Sequence, residues 1–302
     1  MVRRARKLPR FVWARALRGL NRGLAGLETR RGEGGEAPLP QKPIFVVGAP
    51  RSGSTLLYQL LVVRFDVAYL SNLHCRFFGA PVFVERAVGK RLRPPGDFSS
   101  RFGSTRGLAA PSECGPYWYR FFRKSPQYVS LADIEPDRLE RLRESVRAFA
   151  RAADRPLVFK NLVNSVRLAP LAAALPEALF VFVRRDETDT AASILAGRRS
   201  VNADESDWWS VEPHGIERLR SLPPQEQVLE QVRAIESLVD QAREEIGRDR
   251  FLDVRYEDVC ADTHRALESV ATFAERHGVA LRIRRDVPAR FEPGTHSRLQ
   301  QA

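Results

Sequence analysis

Continuous apolar runs bounded by turn residues mark the predicted strands of this chain. Residues 43–47 read Pro-Ile-Phe-Val-Val and residues 178–183 read Ala-Leu-Phe-Val-Phe-Val, and shorter, mainly apolar segments cover residues 157–160 and 251–254. Runs without polar alternation are typical of parallel strands that are covered on both faces. The pattern therefore predicts a parallel sheet.

Apolar residues spaced by three and four positions predict helices between these strands. The longest such pattern runs from residue 224 to 246, and others cover residues 165–174 and 263–277. Alternation of strand and helix favours an α/β fold with helices on both faces of the sheet and right-handed crossovers. The sequence predicts loops and short helices that cover a cleft at residues 70–130 and 198–223. These segments are expected to determine which substrate binds.

Residues 48–55 have the spacing of a phosphate-binding loop but lack its lysine. They read Gly-Ala-Pro-Arg-Ser-Gly-Ser-Thr, so Ser54 stands at the lysine position and Arg51 is the cation. The amides of a glycine loop that precedes a helix bind anions. A planar guanidinium holds an oxyanion in bidentate fashion, which suits a leaving group better than a metal-bound triphosphate. The alternative is an ordinary turn between strand and helix.

A second candidate site follows the strand at residues 178–183. Arg185 marks the carboxyl end of that strand, and Ser193 lies eight residues later in the next predicted helix. Asp186 or Thr188 can cap this helix. Ligands of open α/β sheets bind at strand ends, so Arg185 and Ser193 are expected to converge on a second phosphate. The alternative is an ion pair that caps the helix.

In their order along the chain, these motifs resemble those of sulfotransferases that use 3′-phosphoadenosine 5′-phosphosulfate (PAPS). The 5′-phosphosulfate loop of that family is similar to residues 50–55, and its 3′-phosphate motif is similar to Arg185-Asp186 followed by Ser193. Residues 254–258, Val-Arg-Tyr-Glu-Asp, resemble the element whose tyrosine lies near the adenine. The resemblance implies the P-loop nucleotide-kinase-like sulfotransferase fold and PAPS as co-substrate. The implied PAPS-binding residues are Arg51, Ser52, Gly53, Ser54, Thr55, Arg185, Ser193 and Tyr256.

The resemblance also implies catalytic roles for Arg51 and Lys160, which ends the strand at residues 157–160. Both would stabilise the charge that develops on the 5′-phosphate as the sulfuryl group leaves. The transferred group carries one negative charge, so no metal is expected. A hydroxyl acceptor needs a general base. Several family members have a histidine shortly after the lysine, but here Lys160 is followed by Asn-Leu-Val-Asn.

Glu113 is therefore the candidate base, since it resembles an acidic residue that other bacterial members supply from this segment. A roof of aromatic residues would raise its pKa by desolvation. That roof is predicted from Tyr117, Trp118 and Tyr119. The alternative is that Glu113 caps a helix begun at Ser112. The reserve candidates for the base are His74, His214 and His296.

Residues 208–215, Trp-Trp-Ser-Val-Glu-Pro-His-Gly, are similar to a substrate-side loop of bacterial members. Trp208 and Trp209 are expected to form a platform for a sugar ring or an apolar tail, with His214 nearby. The predicted acceptor is a small molecule, glycan or lipid with a hydroxyl or amine. Its identity and the oligomeric state stay open.

The chain is strongly basic, with a net charge of +12 and a pI near 10.3, which favours anionic partners. Residues 1–40 hold ten lysines and arginines against three glutamates. We assign residues 1–42 to a basic arm and linker, and residues 43–302 to the catalytic domain. An amphipathic pattern in the arm allows peripheral contact with the inner face of a membrane, and a solvated arm is the alternative.

Three scattered cysteines without a C-x-x-C pair favour reduced thiols, a cytoplasmic location and no structural zinc. The sequence shows no apolar run long enough for a signal peptide or a membrane span.

Two alternative functions remain open. One is a P-loop kinase or NTPase, which the serine at position 54 argues against. The other is a noncatalytic basic binding module. Nucleic acid is not expected, because most of the positive charge lies in the arm and no recognised nucleic-acid motif is present.

Overall fold

A parallel sheet organises the part of the chain that the structure describes. The structure is a computed structural model that describes residues 39–202 and 204–294, together with Gly19, Asn21, Gly23 and Leu24. Within these residues the sheet has four strands, all parallel, in the order β2-β1-β3-β4. The strands are β1 (Ile44–Gly48), β2 (Val158–Lys160), β3 (Leu179–Arg184) and β4 (Phe251–Arg255).

Helices surround this sheet. In the first half of the chain they are α1 (Ser54–Arg64), α2 (Asn72–Arg76), α3 (Pro81–Val88), α4 (Gly115–Trp118), α5 (Pro136–Ala153) and α6 (Leu168–Ala174). In the second half they are α7 (Glu187–Val201), α8 (Ile216–Arg220), α9 (Pro224–Ile246), α10 (Tyr256–Ala261) and α11 (Thr263–Arg276). Short 3-10 turns cover Gly89–Arg91, Leu131–Asp133, Leu162–Val166 and Arg248–Arg250.

Alternate side chains of β1 enter two separate hydrophobic cores. Phe45 and Val47 pack with residues of α5 and α6 on one face of the sheet. Ile44 and Val46 pack with residues of α1 and α11 on the other face. Because both faces are covered, the strand is apolar throughout, as is typical of parallel sheets in α/β folds. The predicted fold class, a parallel sheet with helices on both faces, is confirmed.

The helix predicted at residues 165–174 is wrong in its first part. The chain instead forms the 3-10 turn Leu162–Val166 before α6 begins. The Ser165 hydroxyl accepts a hydrogen bond from the Gly48 amide at 2.9 Å and donates to the Gly48 carbonyl at 3.0 Å. This contact with the end of β1 holds the turn in place, and no local sequence pattern encodes it.

Most of the basic arm, and with it the predicted amphipathic helix, lies outside the described residues. Asn21 is buried, its Nδ2 donates to the Arg76 carbonyl at 3.1 Å, and its Oδ1 accepts from the Gly79 amide at 2.7 Å. The arm therefore contacts the folded region just after α2. Across residues 39–202 and 204–294, none of the helices combines the length and apolarity that crossing a bilayer requires.

Replacing Phe45 with alanine tests the packing beneath the sheet. The Phe45 ring lies 5.8 Å from Trp118, 5.4 Å from Phe159 and 5.9 Å from Phe180, centroid to centroid. We expect Phe45→Ala to lower the free energy of unfolding by about 3–5 kcal/mol, measured by urea denaturation. The half-exposed Leu131 supplies a control, since Leu131→Ala should change the free energy of unfolding by about 0.5 kcal/mol or less. Equal effects of the two substitutions would contradict this packing.

Candidate active site

The carboxyl ends of β1, β2 and β3 open into a cavity of about 670 Å³. This volume is in the range of small-molecule sites, roughly 300–1,000 Å³. The cavity lies where ligands of open α/β sheets bind, outside the carboxyl ends of the strands. Its lining includes Arg51, Glu113, Lys160, Arg185, Ser193 and Tyr256.

Two glycines allow the loop after β1 to pack closely against its neighbours. A Cβ at Gly48 would lie 2.6 Å from the carbonyl oxygen of Val183 on β3. Gly53 has φ +88°, and a Cβ there would lie 2.1 Å from the ring of Tyr256. Both positions therefore require glycine, and the ring of Tyr256 lies directly against the loop.

The amino end of α1 faces the cavity without a protein cap. Gly53 is the N-cap residue, and no side chain accepts a hydrogen bond there. The first turn also contains no acidic residue. The first-turn amides of a helix have no intrahelical acceptor, and the helix dipole adds partial positive charge at the same end. The loop therefore offers donors to an anion.

Arg51 and Ser193 meet across the boundary between β1 and β3. The Arg51 Nε donates to the Ser193 hydroxyl at 2.9 Å, and Arg185 donates to the Arg51 carbonyl at 3.2 Å. Asp186 caps α7 by accepting from the Asp189 amide at 2.9 Å, which fixes the helix that carries Ser193. Burial, together with the nearby positive charge of Arg185, lowers the pKa of Arg51. A bound anion would offset both effects.

Arg185 and Tyr256 form the adjoining wall. The Arg185 guanidinium carbon lies 4.7 Å from the centre of the Tyr256 ring, a cation–π contact. The Tyr256 hydroxyl accepts from the Gly294 amide at 3.1 Å, and Arg185 donates to the Gly294 carbonyl. Burial raises the pKa of the Tyr256 phenol, so the ring is uncharged near neutral pH. A neutral aromatic face beside a guanidinium is suited to stacking of a base or ring.

Lys160, at the end of β2, links the loop to Glu113. Its buried ammonium donates to the Thr55 hydroxyl at 2.8 Å and to the Glu113 carboxylate. The Glu113 carbonyl accepts from Asn161 Nδ2 at 3.0 Å and from Trp118 Nε1 at 3.1 Å. These contacts fix both the backbone and the side chain of Glu113 beside the loop.

The capping alternative for Glu113 is wrong. α4 begins at Gly115, and its N-cap residue is Cys114, with no side-chain capping bond. Glu113 instead directs its carboxylate to Lys160 at the cavity wall.

The charges that face the cavity are mainly positive. The charged residues of the lining are three cations, Arg51, Lys160 and Arg185, and one carboxylate, Glu113. Such a surface favours anionic ligands. Within residues 39–202 and 204–294, no three His, Cys, Asp or Glu side chains group together as metal ligands would.

Two aromatic residues, Phe102 and Trp209, meet at the cavity wall. Phe102, at φ +51°, lies 5.6 Å from Trp209 in an edge-to-face contact, and its ring lies 5.6 Å from the Arg51 guanidinium. A Cβ at Gly197 would lie 2.6 Å from the Trp209 ring, so that ring lies directly against α7. Apolar side chains of Leu162 and Val163 also line the cavity.

Of the two residues predicted to form a platform, Trp208 and Trp209, one lies at the cavity wall and the other does not. Trp209 lines the cavity, whereas Trp208 donates to the Val211 carbonyl at 3.2 Å and lies 4.9 Å from the Arg198 guanidinium. His214 packs on Tyr128 at 4.8 Å and is not part of the lining among the described residues.

The aromatic roof predicted over Glu113 is also wrong in two of its three members. Tyr117 and Trp118 are buried in the core beneath β1, because their rings pack edge to face with each other and with core phenylalanines. Tyr119 does line the cavity. Ser52, a member of the loop, is buried and is not part of the cavity lining among the described residues.

Among the histidines considered as alternative bases, His74 is held in place by neighbouring side chains. It is buried, with Nδ1 2.8 Å from the Ser71 hydroxyl and Nε2 3.2 Å from Glu85. His296 lies outside the described residues.

Several residues of the site were not predicted from the sequence, among them Asn161, Phe102 and Gly294. Asn161 directly follows Lys160, so its position at a strand end was an available signal. Phe102 and Gly294 belong to irregular segments in which no motif marks them. Their positions depend on contacts with Trp209 and Tyr256, which are distant in the chain.

Cys75 should be the reactive thiol of this cavity. It lines the wall, and a hydrogen bond from the Cys114 thiol lowers the pKa of Cys75 to about 7, whereas burial raises the pKa of Cys114. We expect one thiol to react with iodoacetamide, at a rate that rises as the pH passes through about 7, because the thiolate is the nucleophile. Peptide mass spectrometry checks the site. A Cys75→Ser protein that is labelled as fast as the wild type would contradict the assignment.

Comparison with known proteins agrees with this geometry. Residues 43–277 match a family profile described as the sulfotransferase family. Omega-hydroxy-beta-dihydromenaquinone-9 sulfotransferase Stf3 of Mycobacterium bovis is 25% identical over 251 residues, which cover 75% of this chain and 61% of that protein. The Stf3 protein of Mycobacterium tuberculosis matches to the same extent. The chain thus spans about 61% of the length of the curated relatives it matches.

Solved structures show the same fold. Sulfotransferase STF1 from Mycobacterium tuberculosis H37Rv superposes with a TM-score of 0.54 at 20% identity, covering 91% of this chain and 77% of that one. Sulfotransferase STF9 from Mycobacterium avium gives a TM-score of 0.53 at 16% identity, covering 80% and 65%. Since the family match extends from β1 through α11, this chain belongs to the sulfotransferase family.

Proposed function

We propose that the protein transfers a sulfuryl group from PAPS to a hydroxyl of an acceptor molecule. The observation that carries this proposal is the pair of guanidiniums at neighbouring strand ends, Arg51 and Arg185, with Ser193 bonded to Arg51. A nucleotide with phosphate groups at both its 3′ and 5′ positions needs two such anion sites close together. One loop with a lysine, as in nucleoside triphosphatases, would not supply them.

The residues present fit this donor. The uncapped amides of α1 and the Arg51 side chain would hold the 5′-phosphosulfate end. Arg185 and Ser193 would hold the 3′-phosphate, and the neutral ring of Tyr256 would pack on the adenine. The close fit of Gly53 against Tyr256 brings these two binding regions together.

The chemistry assigned to the protein is positioning, charge stabilisation and proton transfer. Glu113 would accept the proton of the acceptor hydroxyl as that oxygen attacks sulfur. Lys160 and Arg51 would donate to the oxygens of the leaving phosphate as the bond to the sulfuryl group breaks. Lys160 bonds to Thr55 in the loop and to Glu113. One ammonium therefore contacts both the loop that would hold the leaving phosphate and the carboxylate that would accept the proton. Preorganisation of this kind supplies much of the rate enhancement in such transfers.

For the acceptor we propose an uncharged lipid-like alcohol. Phe102, Trp209, Leu162 and Val163 give the cavity apolar lining beside its polar residues. The curated relative is named for a hydroxylated menaquinone, which is a molecule of this kind. Radiolabelled sulfate transfer to a panel of polyprenyl alcohols, hydroxylated quinones and glycans tests this assignment. Transfer to glycans alone would contradict it.

Binding of adenosine 3′,5′-bisphosphate (PAP) tests the donor site. We expect PAP to raise the melting temperature without magnesium, because binding to the native state alone stabilises it. Arg51→Ala should weaken PAP binding at least about tenfold, since hydrogen bonds to a charged partner are worth about 1.5–3 kcal/mol. Arg101→Ala is a matched control, because Arg101 also lies over the Phe102 ring but is exposed and outside the cavity lining.

Other ligands in the same assay separate the alternatives. Stabilisation by ATP and magnesium without a response to PAP would support a kinase or NTPase instead. Salt-dependent binding to DNA or RNA without a response to PAP would support a basic binding module.

Glu113→Gln tests the general base. The amide keeps the size of the side chain but cannot accept a proton, so kcat should fall by about 10²–10⁴ while PAP affinity is retained. The rate of radiolabelled sulfate transfer and PAP titration measure the two quantities. Glu140→Gln, at an exposed position on α5, is the control and should leave both unchanged. Full activity of Glu113→Gln would show that the base is another residue.

A further inference from the structure

Two of the three cysteines come together at the wall of the cavity. Cys75 lies on α2, and Cys114 directly precedes α4. The backbones before them are joined, since Ser71 and Pro111 form a β-bridge and the Ser112 amide donates to the Leu70 carbonyl at 2.8 Å. The chain therefore holds these two segments in a fixed relation.

The two cysteines lie at the same wall of the cavity. Cys75 packs against the buried core cluster that contains Cys114, and the Cys114 thiol lowers the pKa of the Cys75 thiol. Both residues line the cavity, Cys75 half-buried and Cys114 buried. The third cysteine, Cys260, is buried on α10 and is not part of the cavity lining among the described residues.

We propose that Cys75 and Cys114 form a redox-active dithiol site that reacts with small disulfides entering the cavity. The Cys75 thiolate attacks one sulfur of the small disulfide and expels one thiolate, which leaves a mixed disulfide on Cys75. Cys114 then loses its proton and attacks the Cys75 sulfur, expelling the second thiolate. The products are a Cys75–Cys114 disulfide and two small thiols, so the protein is oxidised by two electrons and the small disulfide is reduced by two.

The different surroundings of the two thiols fit these roles. Cys75 is the more exposed of the pair, and the hydrogen bond from Cys114 favours its thiolate, as a nucleophile near neutral pH requires. Cys114 is buried and keeps its proton until a mixed disulfide lies against it, as a resolving thiol does. The cavity of about 670 Å³ has room for a small disulfide next to Cys75.

The position of Cys114 links this site to the proposed catalytic function. Cys114 directly follows Glu113 and has a left-handed backbone conformation, φ +43°. Joining Cys114 to Cys75 draws this segment toward α2, and the Glu113 carboxylate moves relative to Lys160. A displacement of about 1 Å at a reacting group costs roughly 100-fold in rate. This consequence rests on the proposed function, in which the reduced form is the active one.

The first experiment tests the dithiol site and does not depend on activity. The reduced full-length protein is treated with oxidised glutathione, alkylated under denaturing conditions and analysed by mass spectrometry. We expect alkylatable thiols to fall from three to one, with a disulfide-linked peptide containing Cys75 and Cys114. After the same treatment, the Cys260→Ser protein should have no alkylatable thiol left, because Cys75 and Cys114 are joined. The Cys75→Ser protein should keep both of its alkylatable thiols, Cys114 and Cys260. Three alkylatable thiols, or glutathione retained on Cys75, would overturn the proposal.

The second experiment tests the consequence for transfer. Oxidised protein should transfer sulfate at least about tenfold more slowly, should recover with dithiothreitol, and should keep its thermal response to PAP. Cys260→Ser should be inhibited as the wild type is, and Cys75→Ser should not be inhibited. Equal inhibition of Cys75→Ser and the wild type would overturn the link. A reduced protein that transfers no sulfate to any acceptor contradicts the proposed function, while the thiol count still decides the dithiol site.

Discussion

The parallel pairing of β1 with β3 determines where the functional side chains of this protein lie. Five aligned pairs, from Ile44 with Leu179 to Gly48 with Val183, bring the loop after β1 beside the turn after β3. Arg51 can then bond to Ser193, although the two residues are distant in the chain. A slip of one residue would reverse every side chain of the strand between the two cores, so burial on both faces fixes this register.

Charge in the cavity follows from the same arrangement. β2 pairs with the other edge of β1 and places the buried Lys160 against Thr55. A buried ammonium is costly without a partner, and Glu113 supplies the partner. The pair is a poor source of stability, because desolvation offsets most of its attraction. Its value is geometric, since it fixes a carboxylate next to an anion-binding loop.

The sequence predicts the parts of this fold that depend on local patterns. Apolar runs identify the strands, and the glycine spacing identifies the loop, because both are set by residues close in the chain. The turn at Leu162–Val166 was not predictable, since it depends on the contact of Ser165 with Gly48. Of the tryptophans, Trp118 is in the core and Trp209 is at the cavity wall, a difference that tertiary packing decides and composition does not. Phe102 carries no local signal at all.

The contact of Gly197 with Trp209 joins two surfaces that would otherwise be independent. α7 carries Ser193, which bonds to Arg51, and supports the Trp209 ring, which contacts Phe102. In the proposed function these two surfaces receive the donor and the acceptor, so a shift of α7 on binding of one substrate would move the surface that receives the other, because the ring has no free space above Gly197. The two binding equilibria are then linked, and thermodynamic reciprocity requires each substrate to change the affinity for the other by the same factor.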